Sequence, residues 1–327
     1  MGDQSNSSEK RIPARRGRKL LIWLGGILAF LLILILAGWI YEPMAEAADA
    51  KAYPPPGKMV DVGGYRLHIN CSGSGSPTVV IESGWGDMSA SWGWVQPEVA
   101  KTTRICTYDR AGMGWSESSP EPRTAREFAK ELHTLLVNAN EPGPYVLVGH
   151  SLGVYTVRVY AQDYQEEVAG LVFIDPQNLS ASEVAAPKPA PKPGQTSLPA
   201  LMARIGLARA LAGPLGSIQN LPDGDKQAYT AYAVTSRTAQ ALTDEFIGMS
   251  EGGAQARTVT TLGALPLIVL SRGKSMDADS TASQARYLKL STDSLHLIAD
   301  QSDHRIMIEQ PEAAVAAIFK MVEQLRK

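Results

Sequence analysis

Short apolar runs alternate along this chain with segments of helical periodicity. Six of the runs are too short for helices and are rich in β-branched residues, a pattern typical of buried strands. They are Thr78–Glu82, Arg104–Tyr108, Tyr145–Gly149, Gly170–Ile174, Pro266–Leu270 and Leu295–Ala299. A hairpin is predicted just before them at Lys58–Asn70, where apolar and polar residues alternate around Gly63-Gly64. Strands that alternate with helices predict an α/β fold with a doubly wound, mostly parallel sheet.

Two helices are well delimited by their flanking residues. Thr124 and Glu127 form a capping-box pattern ahead of Phe128, and Pro142 prevents continuation of that helix. The second amphipathic helix, Ala313–Leu325, closes the chain. Both are expected to cover the sheet.

One insertion interrupts the alternation, at about residues 176–263. It contains no clear strand pattern, and it includes the Pro-rich stretch 186–194, which is typical of an extended or flexible connector. Helical patterns follow over 200–212 and 227–247. This part is therefore predicted to be a helical cap inserted between two sheet strands.

The N-terminal part contains an apolar run from Leu20 to Tyr41 that has no acidic or basic residue. About 20 apolar residues suffice for a transmembrane helix. Aromatic rings near both ends of the run favour the membrane interface. The predicted organisation is a basic arm over 1–19, a transmembrane helix over 20–41, a linker over 42–56, and a globular domain over 57–327.

Charge asymmetry around the apolar run predicts its orientation. Residues 1–19 carry six lysines and arginines, whereas Lys51 is the one basic residue in the linker. The positive-inside rule therefore places the N-terminus in the cytoplasm and the domain on the non-cytoplasmic side of a cell membrane. Ala45-Glu46-Ala47 also resembles a signal-peptide cleavage site, which leaves a secreted form as the alternative.

Composition excludes several other classes of protein. The 327 residues include 44% hydrophobic and 20% charged residues, which does not fit a disordered chain. The net charge is −2, and the basic residues concentrated in the N-terminal arm leave no basic surface on the domain for nucleic acid.

Two segments match the G-x-S-x-G pattern of a nucleophile elbow. Ser151 lies in GHSLG between an apolar run and a helix-compatible segment, which predicts the strand-to-helix turn that exposes a nucleophilic serine. Ser250 lies in GMSEG, after a charged helical segment and before no apolar run. We therefore interpret Ser151 as the candidate nucleophile and Ser250 as part of a loop in the cap.

The chain resembles the α/β-hydrolase superfamily over about residues 57–327. Four landmarks in order carry the resemblance: Glu82–Gly86, Asp109–Ser116, the Ser151 elbow, and Asp303-His304. The resemblance implies that His304 is the general base. Of the other histidines, His68, His133 and His296 fall within predicted elements, and His150 is expected to line the elbow.

The resemblance leaves two candidates for the acid that orients His304. Asp175 follows the strand Gly170–Ile174 directly, and some members of the superfamily take the acid from that strand end. Most members take it after the strand that follows the cap, where this chain has Asp277. We favour Asp175 because its strand context is firmer.

The resemblance also implies an oxyanion hole formed by the backbone N–H groups of Leu152 and Trp85. Trp85, Trp92 and Trp94 belong to one loop, where they either line an acyl site or pack the loop against the cap. Asp109 and Arg110 are expected to brace a turn rather than to take part in chemistry.

These residues together predict a serine esterase or lipase that acts on a small-molecule or lipid-like acyl substrate. No cofactor or metal is implied. The alternatives are a peptidase, thioesterase or acyltransferase with the same residues, or a non-catalytic binding module of this fold. A serine at the elbow argues against epoxide hydrolases and haloalkane dehalogenases, which need a carboxylate nucleophile.

Export would place the two cysteines in an oxidising compartment, where a disulfide is permitted. In the superfamily's sheet, the strands that contain Cys71 and Cys106 lie side by side and antiparallel. The resemblance therefore makes a bridge between these cysteines possible. A register slip of one residue would separate the thiols and leave two small buried side chains instead.

Overall fold

The computed structural model describes residues 14–177, 196–215 and 220–327. Within these residues, eight strands form one sheet in the order β1-β2-β4-β3-β5-β6-β7-β8. The strands are β1 Lys58–Asp61, β2 Arg66–Ser72, β3 Thr78–Glu82, β4 Ile105–Tyr108, β5 Tyr145–His150, β6 Val168–Ile174, β7 Leu267–Arg272 and β8 Ser294–Ala299. Strand pairs from β4 through β8 are parallel, and β2 pairs antiparallel with both β1 and β4. The predicted fold class and the strand positions are confirmed.

Helices cover both faces of this sheet. The helices of the described residues are α1 Ala14–Ala52, α2 Gln96–Val99, α3 Ala125–Ala139, α4 Gly153–Asp163, α5 Leu198–Arg204, α6 Leu207–Leu215, α7 Asp223–Ala233, α8 Ser236–Thr258, α9 Ala278–Leu288, α10 Ile306–Glu309 and α11 Pro311–Leu325. The buried side chains of α3, α4 and α9 form a core on one face, and those of α2, α10 and α11 form a core on the other.

The predicted boundaries of α3 are correct, but the cap works differently from the expectation. Thr124 is the extended residue before the helix, yet its side chain makes no capping hydrogen bond. The helix ends at Ala139 because Asn140 adopts the left-handed conformation with φ of 57°.

The insertion between β6 and β7 is a helical cap, of which the structure describes residues 196–215 and 220–263. Each of its two predicted helical stretches is divided in two. Gly206, with φ of +76°, separates α5 from α6, and Thr235 caps α8 by accepting a hydrogen bond from the Thr238 N–H. Most of residues 176–195, including the Pro-rich stretch, lies outside the described residues.

Helix α1 contains one segment, Gly17–Ala52, that is long and apolar enough to cross a membrane, and no residue of its most apolar 18-residue stretch is buried. The helix does not end with the apolar run. It continues through Pro43 to Ala52, so most of the expected linker over 42–56 is helical. The reason is that alanine is the strongest helix former, and four alanines follow Met44 before Lys51.

The two cysteines lie opposite each other on β2 and β4. Cys71 and Cys106 are partners in the antiparallel register, and a disulfide joins them with a Cα to Cα distance of 4.0 Å. The disulfide is therefore confirmed and the register slip is not observed. It links the antiparallel hairpin to the parallel part of the sheet.

Candidate active site

Ser151 occupies a sharp turn between β5 and α4. Its φ is 51°, a strained value for a residue with a side chain. The flanking glycines permit the turn, since a Cβ at Gly149 would lie 2.8 Å from Val157 and one at Gly153 would lie 2.5 Å from the Glu82 carbonyl oxygen. The predicted strand-to-helix turn is thus present at Ser151.

His304 and Asp175 continue from this serine in a hydrogen-bonded series. The Ser151 Oγ lies 2.9 Å from His304 Nε2, and His304 Nδ1 lies 2.5 Å from Asp175 Oδ2. An ionised carboxylate can only accept, so Nδ1 carries the proton and Nε2 presents its lone pair to the hydroxyl. The three groups are therefore arranged to move a proton away from the serine.

Sheet order explains how residues far apart in the sequence meet here. Ser151 follows β5, Asp175 follows β6 and His304 follows β8, and all three strands end at the same edge. Ser151 is 5% exposed, whereas 43% of the His304 side chain is exposed. The histidine is thus much more open to solvent than the serine.

Asp175 contacts a cation, Arg272, in addition to the His304 ring. Arg272, at the end of β7, places Nη1 2.8 Å from Asp175 Oδ2. Burial alone would raise the pKa of Asp175, but the His304 hydrogen bond and the Arg272 charge outweigh it and lower the pKa below the usual value. The carboxylate therefore stays charged and fixed toward His304.

The alternative acid, Asp277, has a different position and a different contact. It precedes α9 as the N-cap residue, and its Oδ1 accepts a hydrogen bond of 2.7 Å from the Ser280 N–H. This is an ordinary capping interaction. Of the two acids left open by the sequence, Asp175 is the one whose carboxylate contacts the His304 ring.

The second G-x-S-x-G match was interpreted wrongly as a loop. Ser250 is an exposed residue inside helix α8. A Cβ at Gly248 would lie 1.9 Å from the Arg123 carbonyl oxygen, and one at Gly252 would lie 3.1 Å from the Ala125 nitrogen. These glycines therefore allow close helix packing and do not form an elbow.

The remaining histidines have partners outside the Ser151 cluster, except His150. His68 contacts Asp109, His133 contacts Glu167, and His296 contacts Ser271. These are the structural positions expected from the sequence.

His150 lies directly behind His304, as expected for a residue that lines the elbow. Its Nε2 is 2.9 Å from the His304 carbonyl oxygen, and the two rings are 4.8 Å apart. Burial, together with the neighbouring His304, lowers the pKa of His150 to about 4. His150 is therefore neutral near pH 7 and supports the backbone of His304.

The loop after β3 passes close to the serine. A Cβ at Gly84 would lie 3.2 Å from Ser151 Cβ, so only glycine fits comfortably there. Trp85 follows, and its indole N–H donates to the Leu242 carbonyl oxygen of the cap at 3.1 Å. Leu152 is buried and is the N-cap residue that directly precedes α4.

The three tryptophans of this loop serve mainly to pack it. Trp92 is fully buried and donates its indole N–H to Ser83 Oγ at 3.0 Å, and Trp94 donates to the Asn220 carbonyl oxygen of the cap at 3.2 Å. Trp85 alone combines a cap contact with a position next to Gly84.

Arg110 has a wider role than the expected bracing of a turn. Its buried guanidinium bonds Glu82 at the end of β3 and Glu245 on α8, each at 2.7 Å. It also donates to the carbonyl oxygens of Ser83 and Gly84, at 2.6 and 2.8 Å. Arg110 thus ties the cap to the loop beside Ser151, whereas Asp109 does brace turns through Ser89 and Trp115.

Three other contacts around the site were not anticipated. Gln177 Oε1 lies 3.4 Å from Ser151 Oγ, Asp87 pairs with Arg305, and Arg272 pairs with Asp175. Gln177 lies two residues after Asp175, and Arg272 lies two residues after the predicted strand Pro266–Leu270, so closeness to a strand end was the available signal for both. Asp87 carries no such signal.

One protein-family model matches this chain. A model described as the alpha/beta hydrolase fold matches residues 77–242. The matched range includes β3 through β6 and much of the cap.

Curated relatives match over limited segments. The uncharacterized protein YqjL of Bacillus subtilis is 38% identical over 104 residues, which cover 32% of this chain and 41% of that protein. The aligned segments span between 18% and 46% of the length of the first curated relatives matched.

Solved structures match over most of the chain. A thermophilic esterase from Thermogutta terrifontis aligns with a TM-score of 0.62 and 20% identity, covering 83% of this chain and 99% of that one. The epoxide hydrolase CorEH aligns with a TM-score of 0.65 and 18% identity, covering 82% and 98%. At these identities the likeness is one of fold.

Proposed function

The chain belongs to the alpha/beta hydrolase fold family, and from that membership we propose that it is a membrane-anchored serine hydrolase that cleaves carboxylic esters. The observation that carries the proposal is the hydrogen-bonded series Ser151, His304 and Asp175 at one edge of the sheet. A serine needs such a base and an orienting carboxylate to act as a nucleophile near neutral pH.

In the proposed reaction, Ser151 Oγ attacks the carbonyl carbon of the ester while His304 Nε2 accepts the hydroxyl proton. Asp175 holds the histidine in the required tautomer and stabilises the imidazolium. His304 then protonates the departing alcohol oxygen, which leaves an acyl group on Ser151. Water, deprotonated by the same histidine, releases the acid and restores the serine.

The carbonyl oxygen becomes negatively charged when Ser151 attacks and again when water attacks, and hydrogen-bond donors must stabilise that charge. We assign this role to the backbone N–H groups of Leu152 and Trp85. The position of Leu152 at the start of α4 supports the assignment, because a helix N-terminus favours negative charge. The close approach of Gly84 to Ser151 supports the assignment of the Trp85 N–H, because Trp85 directly follows Gly84.

The nucleophile also favours ester hydrolysis over epoxide opening. CorEH is described as an epoxide hydrolase, and epoxide hydrolases of this family form an alkyl-enzyme ester on a carboxylate. This chain has Ser151 at the elbow instead. An acyl-enzyme is the intermediate that a serine forms with an ester.

The proposed location is a cell membrane, with the N-terminus in the cytoplasm and the domain on the other side. The disulfide supports an oxidising compartment. Retention of the anchor is supported by Glu42, which is buried against Arg209 of the cap. Signal cleavage after Ala47 would remove this carboxylate.

The test compares matched substitutions on a soluble short-chain aryl ester. Ser151→Ala and His304→Ala should each lower turnover by orders of magnitude, because members of such a series act as a unit. Asp175→Asn should lower turnover by about 10⁴, the value known for the serine protease case, because Asn favours the wrong histidine tautomer.

Two controls match these changes in chemistry. Asp277→Asn should retain turnover and stability, because asparagine caps a helix as well as aspartate. Ser250→Ala should also retain turnover, since Ser250 is an exposed helical residue. A fluorophosphonate probe should label Ser250→Ala as it labels the unmodified protein, but it should not label Ser151→Ala. The proposal fails if the probe does not label the unmodified protein or if Ser151→Ala is fully active.

A further inference from the structure

Helix α1 does not merely precede the domain, because its C-terminal half packs against the cap. Gly38 lies so close to the end of α5 that a Cβ there would be 2.0 Å from the Ile205 carbonyl oxygen. One turn later, Glu42 is buried and accepts hydrogen bonds from Nε and Nη2 of Arg209 on α6, and Asp49 accepts one from Nη1 at 2.7 Å. These residues recur at helical spacing, so one face of α1 is committed to the cap.

The contact at Gly38 fixes the height of the cap relative to a bilayer. The apolar run ends at Tyr41, so Gly38 lies about 4.5 Å inside that end at 1.5 Å per residue. The turn between α5 and α6 therefore lies at the boundary between headgroups and acyl chains. Helices that lie in this boundary bury their apolar faces by about 5 to 10 Å.

Helix α5, which ends at this contact, presents exposed apolar side chains. Leu198, Leu201 and Met202 are spaced by three and four residues and so share one helix face, and all three are exposed. Arg204, also exposed, follows in the last turn of α5, where a cation would meet lipid phosphates. We call the three apolar residues the α5 face.

A series of contacts connects α5, through α8 and the loop after β3, with the candidate nucleophile Ser151. Ser197, at the start of α5, donates its N–H to Gln240 of α8 at 2.7 Å. Two turns further along α8, Phe246 is 63% exposed and its ring lies 6.0 Å from that of Trp85, which is 46% exposed. Trp85 adjoins Gly84, which lies against Ser151.

We propose that the α5 face rests in the bilayer that holds α1, so that the enzyme takes acyl substrates with long chains from the lipid phase by way of Phe246 and Trp85. The proposal rests on the proposed function and on its membrane anchor. The occupant is the bilayer because α5, which carries this exposed apolar face, ends against Gly38 within the exposed apolar run of α1.

The first experiment measures depth and needs no activity. Full-length Leu201→Cys is labelled with an environment-sensitive fluorophore and reconstituted in phosphatidylcholine vesicles that contain acyl-chain nitroxides. Ile298→Cys, an exposed apolar position on β8, is the matched control, and Leu31→Cys in the apolar run is the positive reference. The label at 201 should be quenched strongly by shallow nitroxides, whereas the label at 298 should not.

Two results would overturn the proposal. One is a label at 201 that is quenched no more than the label at 298. The other is burial of the label at 201 that depends on the protein-to-lipid ratio, because the α5 face would then contact a second copy of the protein. Either result leaves the proposed ester hydrolysis intact.

The second experiment tests the substrate source. The variant with Leu198→Asn, Leu201→Asn and Met202→Asn should show about a tenfold lower ratio of turnover on a long-chain ester in vesicles to turnover on a soluble short ester. Ile298→Asn should leave the ratio unchanged. An unchanged ratio in the triple variant contradicts delivery from the lipid phase. If the unmodified protein hydrolysed neither ester, that result would instead contradict the proposed function, and the depth measurement would still stand.

Discussion

The buried contact between Arg110 and Glu245 offers a direct measure of how firmly the cap is attached. Glu245 accepts hydrogen bonds from Arg110 Nε at 2.7 Å and from Nη2 at 2.9 Å, and both side chains are almost fully buried. The substitution Glu245→Gln keeps the shape of the side chain. It removes the charge and turns one acceptor into an NH₂ donor that faces an Arg110 N–H.

The size of the effect follows from these contacts. One charge-assisted hydrogen bond is lost, which costs about 1.5–3 kcal/mol, and the other is weakened. Arg110 keeps Glu82 at 2.7 Å, so its charge is not left without a partner, and the cost stays at the lower end of the roughly 3–5 kcal/mol of a fully broken buried pair. We expect Glu245→Gln to lower the free energy of unfolding by about 3 kcal/mol.

The assay is urea unfolding of the full-length protein in detergent, followed by tryptophan fluorescence. The matched control is Glu117→Gln, which alters an arginine–glutamate pair with Arg66 in which both side chains are more than a third exposed. That change should cost less than about 1 kcal/mol. Equal losses in the two variants would refute the reasoning that burial gives the Arg110 contact its strength.

Three further predictions concern the disulfide, pH and topology. No free thiol should be titrated in the denatured, unreduced protein, and Cys71→Ser should lower stability by about 4 kcal/mol because the bridge closes a loop with a sequence separation of 35; one or two free thiols would contradict the bridge. The pKa of His150 is about 6.5 in the unfolded chain and about 4 in the folded protein, so between these pH values the unfolded state binds more protons. The free energy of unfolding should therefore decline by about 3 kcal/mol as the pH falls from 6.5 to 4. In His150→Gln the free energy of unfolding should depend less steeply on pH, and an identical slope would argue against a buried neutral histidine. Protease added to intact cells, or to spheroplasts, should digest the domain and spare residues 1–19, whereas a domain protected until lysis would reverse the topology.

The strand pattern was predictable because buried parallel strands carry runs of Val, Ile and Leu that differ sharply from helical periodicity. The runs at Thr78–Glu82 and Tyr145–Gly149, for example, correspond closely to β3 and β5. The strand-to-helix turn at Ser151 was predictable for the same reason, since it depends on residues adjacent in sequence.

Contacts between distant segments were not predictable in this way. The choice between Asp175 and Asp277 depends on which strand end faces His304 across the sheet, and neighbouring residues do not encode that distance. Arg110 was assigned to a turn because its partner Glu245 is 135 residues away.

Two local interpretations were wrong, the first because tertiary packing outweighs local propensity and the second because the alanines after Met44 favour a helix. Glycines usually disfavour helices, but Gly248 and Gly252 allow α8 to approach α3 closely, so Ser250 is helical. The segment 42–56 looked like a spacer, yet α1 continues to Ala52 with Glu42 and Asp49 facing Arg209.

The continuation of α1 past the apolar run decides where the chain can be shortened to obtain a water-soluble form. A polypeptide that begins at Gly57 would lack both carboxylates around Arg209 and also the Tyr53 carbonyl oxygen, which accepts hydrogen bonds from Trp115 and Tyr232. One that begins at Tyr41 would retain all of these partners and discard the apolar run. The eleven residues from Glu42 to Ala52 therefore belong, in folding terms, to the globular domain rather than to the apolar run that precedes them.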